Sequence, residues 1–231
     1  MTLREFKKRL LDANISLDYD QLYKLERYTL LLQEWNDKFN LTSITEKNEI
    51  YEKHYLDCFL AMPEKLTGKV CDVGTGAGFP GIVWKIYNPS IELTLVEPTG
   101  KRCTFLAEVV KKLHLENVKI ENVRAEDYVK EKREYFNFVT ARAVANLPIL
   151  LELCLPLVKV GGEFIAMKGV NAKEELSNSG NAISILGGKV NSLGVAELTE
   201  GTIRYNISIK KDKETPIKYP RAYGQIKKKP L

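Results

Sequence analysis

From Lys69 onward, short β-rich runs alternate strictly with amphipathic stretches, and this alternation constrains the fold more than any other feature of the chain. VCDVG is followed by a helical pattern near 82–87, IELTLVE by one over 101–113, VKIENV by FNFVTARAV, and a further helical run over 147–157 by EFIAMKG. Strand and helix in turn imply right-handed βαβ crossovers around a mostly parallel sheet. After a helical piece around 173–186, GKVNSLGVAEL and IRYNISIKK read as two paired strands closing one edge, for seven strands in all. Before Lys69 there is no strand pattern. Leu3, Phe6, Leu10 and Leu11, then Leu22, Leu25, Tyr28, Leu32, Trp35 and Phe39, recur at helical spacing, with Ser16 and Asp18 as candidate N-caps of the second helix. A third helix is expected after Thr45, carrying Ile50, His54, Asp57 and Ala61 and stopping before Pro63. The expected organisation is a helical extension over 1–65 and an α/β domain over 66–231, joined through 63–68.

With 231 residues, 44% of them hydrophobic, the chain can bury a sizeable core. Its longest apolar runs, such as 149–151, fall far short of the roughly 20 residues of a membrane span, and the opening MTLREFKKRL has no apolar signal core, so the expected location is the cytoplasm with no membrane partner. Cys58, Cys71, Cys103 and Cys154 stand apart with no C-x-x-C pair, which indicates inert thiols and no metal site. The net charge of +5 is unevenly placed: residues 210–231 hold eight basic side chains against Asp212 and Glu214, a net +6. A basic tail from 210 suits a polyanion, or is simply a solvated, frayed end.

The turn after the first expected strand reads Asp72-Val73-Gly74-Thr75-Gly76-Ala77-Gly78-Phe79-Pro80-Gly81. Glycines there allow positive φ and close approach of backbone to ligand. A dinucleotide fingerprint needs Gly or Ala where Phe79 stands, and no G-K-[ST] follows for a phosphate loop. The spacing G-x-G-x-G, with Asp72 two residues ahead, resembles the first motif of class I S-adenosylmethionine-dependent methyltransferases. Glu97, ending IELTLVE about twenty residues on, is where a carboxylate accepts hydrogen bonds from ribose hydroxyls. Ala125 and Glu126 in RAED stand where this class places groups beside adenine. Taken singly, Glu97 is equally a strand-end carboxylate and Glu126 an acid at a helix N-terminus.

Methyl transfer is an in-line displacement, so the acceptor decides what further chemistry is needed. Exocyclic amine methylation goes with [DN]-P-P-[YF] after the fourth strand, where this chain has Thr140-Ala141-Arg142-Ala143-Val144; Asn88-Pro89-Ser90-Ile91 precedes the second strand. No cysteine follows a proline, as a cytosine C5 nucleophile would, and the Lys-Asp-Lys-Glu set of ribose methylation is missing. An acceptor with a lone pair and no proton to lose, such as guanine N7, needs no general base, and that matches what is absent. Another RNA or small-molecule acceptor, and a non-catalytic scaffold that binds cofactor and RNA, remain as alternatives.

NLTSI at 40–44, KHYLD at 53–57, DVGTGAGFPGI, VEPTGKRCTFL, RAED, TARAVANL, MKG and the late YPRAYGQIKKKPL together resemble the bacterial 16S ribosomal RNA guanine-N7 methyltransferases, also called glucose-inhibited division protein B. Cys58 stands where many of these have Ser. The resemblance implies a helical N-terminal extension on a Rossmann-like, seven-stranded, mostly parallel sheet of the class I methyltransferase type. It implies S-adenosyl-L-methionine as cofactor, and as partner 16S ribosomal RNA, the small ribosomal subunit or its assembly intermediate, met by a monomer. Carried over by position, Gly74, Gly76, Gly78, Phe79, Glu97, Ala125, Glu126 and Arg142 are the cofactor contacts. Arg142, Asn40, His54 and Lys168 are the candidate catalytic residues, with Arg142 first for substrate. Lys53, Lys101, Arg102 and Arg221 are candidate phosphate contacts. The plainer alternatives are a strand-end ion pair for Arg142, a hydrogen-bonded structural histidine for His54, and surface charge for the lysines.

Overall fold

Thr2 and Asp18 open the first two helices with the reciprocal hydrogen bonds of capping boxes, to Glu5 and Gln21 respectively. The computed structural model describes residues 1–198 and 201–231. The helices so capped are α1 (Leu3–Asp12) and α2 (Tyr19–Phe39), and α2 ends where Asn40 turns left-handed at φ 49°. The third helical stretch is composite: a turn of α3 (Lys47–Glu49), a π-helix over Ile50–Leu56, and α4 (Asp57–Leu60). Spacing alone reads this stretch as one regular helix, because apolar positions four apart fit either winding; the wider i→i+5 ladder is visible only in the backbone.

The α/β part runs β1 (Lys69–Val73), α5 (Gly81–Tyr87), β2 (Glu92–Val96), α6 (Gly100–Lys112), β3 (Val118–Glu121), α7 (Ala125–Lys132), β4 (Phe136–Arg142), α8 (Leu147–Cys154) and β5 (Val158–Lys168). It closes with α9 (Ala172–Ser177), α10 (Gly180–Ile185), β6 (Gly188–Glu197), β7 (Ile203–Lys211) and the short α11 (Tyr223–Lys228). The seven strands lie in the order β3-β2-β1-β4-β5-β7-β6, parallel except that β7 runs antiparallel to both its neighbours. The expected fold class and the closing hairpin are therefore observed; α7, α11 and the split of the 173–186 piece into two helices are additions that the pattern did not separate.

Successive residues of the central strands point to opposite faces of the sheet, as a strand buried on both sides requires, with a break in register on β4 between Phe136 and Phe138. Val70, Leu95, Ile165 and Met167 enter one core with α5 and α6, while Cys71, Val96, Phe164 and Ala166 enter the other with α7 and α8. The N-terminal helices lie on the first face, and Phe6, Tyr28, Tyr55 and Phe59 share one apolar cluster with Ile82, Trp84 and Phe105. Polar ties accompany that packing: Trp84 Nε1 donates to the Cys58 carbonyl at 2.8 Å, and Asn206 Nδ2 donates to the Leu60 carbonyl at 3.1 Å.

The C-terminal segment corrects the expectation of a free basic tail. Lys210 and Lys211 still belong to β7, and the Lys211 ammonium is fully buried, donating to the Leu155 carbonyl at 2.7 Å and pairing with Glu134 at 3.1 Å. Thr215, Tyr219 and Ile226 are buried beyond it. These buried residues between the lysines anchor the segment, and Lys213, Lys218 and Lys227 to Lys229 remain on the surface. No helix among the described residues is long and apolar enough to cross a membrane.

Candidate functional site

The strand order reverses between β1 and β4, and in open α/β sheets the crevice at the carboxyl ends of such a pair is where ligands bind. The glycine loop leaves β1 at this point. Gly74, Gly76 and Gly78 have φ of +64°, +62° and +99°, a region closed to most side chains. Asp72, fully buried at the end of β1, ties the loop across its base: Oδ2 accepts from the Thr75 hydroxyl at 2.6 Å and from the Gly81 N–H at 2.8 Å. Its other oxygen, Oδ1, is buried with no hydrogen-bond partner among the described residues. Burial, against the help of these two donors, pushes the Asp72 carboxyl up to about 6.

Glu97 follows β2 and is 1% exposed. One oxygen accepts from the Gly76 N–H at 3.0 Å and the other from the Thr99 N–H at 2.9 Å, with the Arg102 guanidinium 3.6 Å away. Each carboxylate oxygen keeps a further lone pair for a hydroxyl donor. A Cβ built on Gly76 would meet nothing nearer than the Gly74 carbonyl oxygen at 4.0 Å, so the space before this glycine is open, whereas at Gly74 the Val144 side chain already fills it at 2.6 Å. An orphaned buried acceptor, a buried carboxylate and an open glycine face fit a ligand that presents ammonium and hydroxyl donors.

The helical extension builds the other wall. The Tyr28 hydroxyl of α2 donates to the Ala77 carbonyl inside the glycine loop, and the Phe79 ring stacks with Tyr28 at 5.3 Å and with His54 at 4.4 Å. The Arg142 guanidinium, at the end of β4, lies 5.0 Å from the same ring. Arg142 also donates to the Lys53 carbonyl and to Asp57 Oδ2, both at 3.3 Å, and its second terminal nitrogen faces His54 Nδ1 at 3.0 Å. A guanidinium only donates, so Nδ1 accepts and the ring proton sits on Nε2, 3.2 Å from the Thr42 hydroxyl. Burial first, then the Arg142 charge, hold the His54 imidazole down to about 3. It is a neutral group near pH 7.

Beyond Arg142 opens a cleft of about 440 Å³, lined among others by Lys53, His54, Asp57, Arg142, Lys168, Glu175 and Arg204. The structure thus brings four of the expected site residues, Arg142, His54, Lys168 and Lys53, to one cavity beside the glycine loop. The Lys168 ammonium is held by Glu175 at 2.7 Å and the Ala145 carbonyl at 2.8 Å. Asp57, Glu175 and Arg204 were not singled out as site residues. Asp57 carried a signal, standing three residues after His54 on the same helix, while Glu175 and Arg204 come from elements whose approach only the tertiary fold reveals.

Other expected residues lie apart from this cleft. Asn40 is exposed at the end of α2 and does not line the cavity. Ala125 and Glu126 begin α7 after β3, Ala125 buried and Glu126 partly so. Lys101 is exposed on α6 with its ammonium 5.7 Å from the Phe39 ring, and Arg102 turns toward Glu97. Arg221 is engaged within the fold: its guanidinium grips the fully buried Glu152 through two hydrogen bonds at 2.8 and 2.6 Å, and its backbone N–H adds a third at 2.8 Å. A buried carboxylate needs this counter-ion, so Arg221 anchors the C-terminal segment to α8.

Residues 21–203 match the family described as rRNA small subunit methyltransferase G. Among curated relatives, the ribosomal RNA small subunit methyltransferase G of Clostridium tetani is 46% identical over 226 residues, 95% of each chain. That of Ligilactobacillus salivarius is 43% identical over 242 aligned positions, the whole of both chains. Among solved structures, a mutant 16S rRNA (adenine(1408)-N(1))-methyltransferase from Catenulisporales acidiphilia superposes with a TM-score of 0.55 at 14% identity, covering 73% of this chain and 92% of that one.

Proposed function

Since the chain belongs to the rRNA small subunit methyltransferase G family, we propose that it transfers the methyl group of S-adenosylmethionine to N7 of a guanine in 16S ribosomal RNA. The observation that carries this reading is the junction of two unlike half-sites at the β1–β4 reversal. On one side is the glycine loop with the orphan Asp72 Oδ1 and the buried Glu97; on the other is the Arg142–His54 cleft.

When bound, the cofactor supplies a methyl carried on a sulfonium. Asp72 and Glu97 offer the acceptors for its ammonium and ribose hydroxyls, and the open face of Gly76 lets the backbone approach. Ala125 and Glu126 border the adenine, with Arg142 between the two half-sites. Arg142, fixed by Lys53, His54 and Asp57, orients the base at the mouth of the cleft. His54 takes no proton, because its imidazole is held far below its ordinary value. None has to be taken: guanine N7 attacks with a lone pair and ends as a cation, so alignment and exclusion of water are the main requirements. Lys53, Lys101, Arg102 and the exposed lysines of α11 contact RNA phosphates, while Lys168 faces the substrate from the cleft wall. The chain acts as a cytoplasmic monomer on small-subunit RNA, naked or in an assembling subunit; gel filtration tests the first part.

The deciding experiment incubates the protein with methyl-labelled S-adenosylmethionine and either small-subunit RNA or small subunits, then digests to nucleosides. Label is expected in 7-methylguanosine, with chemical cleavage at a single guanine. Label in any other nucleoside, or none, overturns the reading.

A further inference from the structure

The cleft beside Arg142 holds four cationic side chains, Lys53, Arg142, Lys168 and Arg204, and two carboxylates, Asp57 and Glu175. Cations suit phosphates, but a guanine whose N7 faces the methyl turns N1–H and the 2-amino group away from it, and these donors require an acceptor. The two carboxylates differ in how tightly they are held. Glu175 Oε2 already accepts from Lys168 at 2.7 Å and from the Leu147 N–H at 2.6 Å. Asp57 is approached by Arg142 at 3.3 Å and by Arg204 at 3.7 Å, both longer than the 2.7–2.9 Å of a strong charge-assisted bond. Its side chain is 5% exposed, at the junction where the π-helix passes into α4, and π segments frequently mark functional positions. Burial raises the Asp57 carboxyl, and the two guanidinia oppose that shift. It is a buried acid with lone pairs still to satisfy, on the wall of the substrate cleft.

Resting on the guanine-N7 reading above, we infer that Asp57 reads the amino–imino edge of the acceptor guanine, accepting from N1–H and the 2-amino group. In the reaction the bond from sulfur to methyl carbon breaks, a bond from N7 to that carbon forms, and the positive charge passes from sulfur to the purine. No proton moves. As the ring becomes cationic, N1–H and the 2-amino group become stronger donors, so the contact with an ionised carboxylate tightens toward the transition state. Asp57 therefore acts on turnover as well as on choice of base.

The test is a two-way comparison of single-turnover rates. The acceptor guanine, once mapped, is replaced by inosine, which keeps N7 and N1–H but lacks the 2-amino group. The parent is expected to methylate inosine about tenfold or more slowly than guanine. Asp57→Asn is expected to be slow on guanine and to bring the guanine-to-inosine ratio close to one, with S-adenosylmethionine affinity by calorimetry unchanged as evidence of an intact fold. A carboxylate that only clamps Arg142 would slow both substrates and leave the ratio at the parent's value, which overturns the inference. Should Asp57→Asn unfold, the parent alone remains a test, since equal rates on guanine and inosine also overturn it. Absence of 7-methylguanosine from the parent reaction is a different failure, that of the underlying functional reading.

Discussion

His54→Asn should make the protein less sensitive to acid, by an amount that follows from the burial of the imidazole. In the folded chain His54 is 6% exposed and its value is held down to about 3, against an ordinary 6.5. A proton therefore binds the unfolded chain first, and stability is lost as the pH falls below 6.5, at about 1.4 kcal/mol per pH unit. From pH 7 to pH 5 the loss is about 2 kcal/mol, and it is set almost wholly by the unfolded value because pH 5 lies far above 3. Asp57 and Asp72, whose carboxyls burial raises, act in the opposite sense, since acid relieves the strain of keeping them ionised; both are present in parent and variant and cancel in the comparison. Urea unfolding of the two proteins at pH 7 and pH 5 measures the difference. The parent should lose about 2 kcal/mol more than His54→Asn on acidification; equal losses would refute the assignment of His54 as a buried neutral group. The same neutrality requires that His54 contribute no limb to single-turnover methylation from about pH 6 to 9, once ionisation of the RNA and of Asp72, held at about 6, is controlled. A limb near 6.5 that disappears in the variant would restore a proton-accepting role.

Arg142→Ala should lower single-turnover methylation by about a hundredfold or more through misplacement of the base, with cofactor affinity reduced only modestly; a variant as fast as the parent would remove Arg142 from the site. Glu97→Ala should weaken S-adenosylmethionine binding by about 1–3 kcal/mol, and Gly76→Val should abolish it, since the side chain would occupy the open face at φ +62°; calorimetry showing unchanged affinity in both would contradict the cofactor assignment. Arg221→Ala should cost roughly 3 kcal/mol in urea unfolding, the low end for a broken buried pair because Arg221 itself is 25% exposed. Charge reversal at Lys227, Lys228 and Lys229 should flatten the dependence of RNA affinity on salt if these exposed side chains meet phosphates, whereas an unaltered slope would show that they are only solvated.

Much of the architecture was legible because its signals are local. The alternation of β-rich runs with helical stretches and the glycines after VCDVG place a parallel sheet and its ligand edge; Glu97 directly follows the second strand and Arg142 ends the fourth. The π-helix was not legible, since Ile50 and His54 sit at a spacing compatible with either ladder. Nor was the partnership of Arg221 with Glu152, which joins positions 69 residues apart and makes Arg221 the counter-ion of a buried carboxylate. The charge count of 210–231 suggested a loose tail, but charge says nothing of Thr215, Tyr219 and Ile226, whose burial seats the segment. Asp57 and Arg204 reach one cleft only because β7 returns antiparallel beside β5, a long-range pairing with no signature in either segment.

Tyr28 and its neighbours carry a consequence for the chain as a material. The hydroxyl that holds the Ala77 carbonyl, the Phe79 ring between α2 and the π-helix, and the indole bond from Trp84 to Cys58 fasten the glycine loop to the first 65 residues with no yielding layer between. The α/β part is not a finished body to which helices are attached. Cut at residue 65, it would bare Ile82, Trp84 and Phe105 to water, leave the loop without its clamp, and have no reason to melt as a smaller version of itself. The molecule should instead lose its order all at once, so that force, heat or denaturant applied at the N-terminal helices is felt with equal severity at the glycine loop.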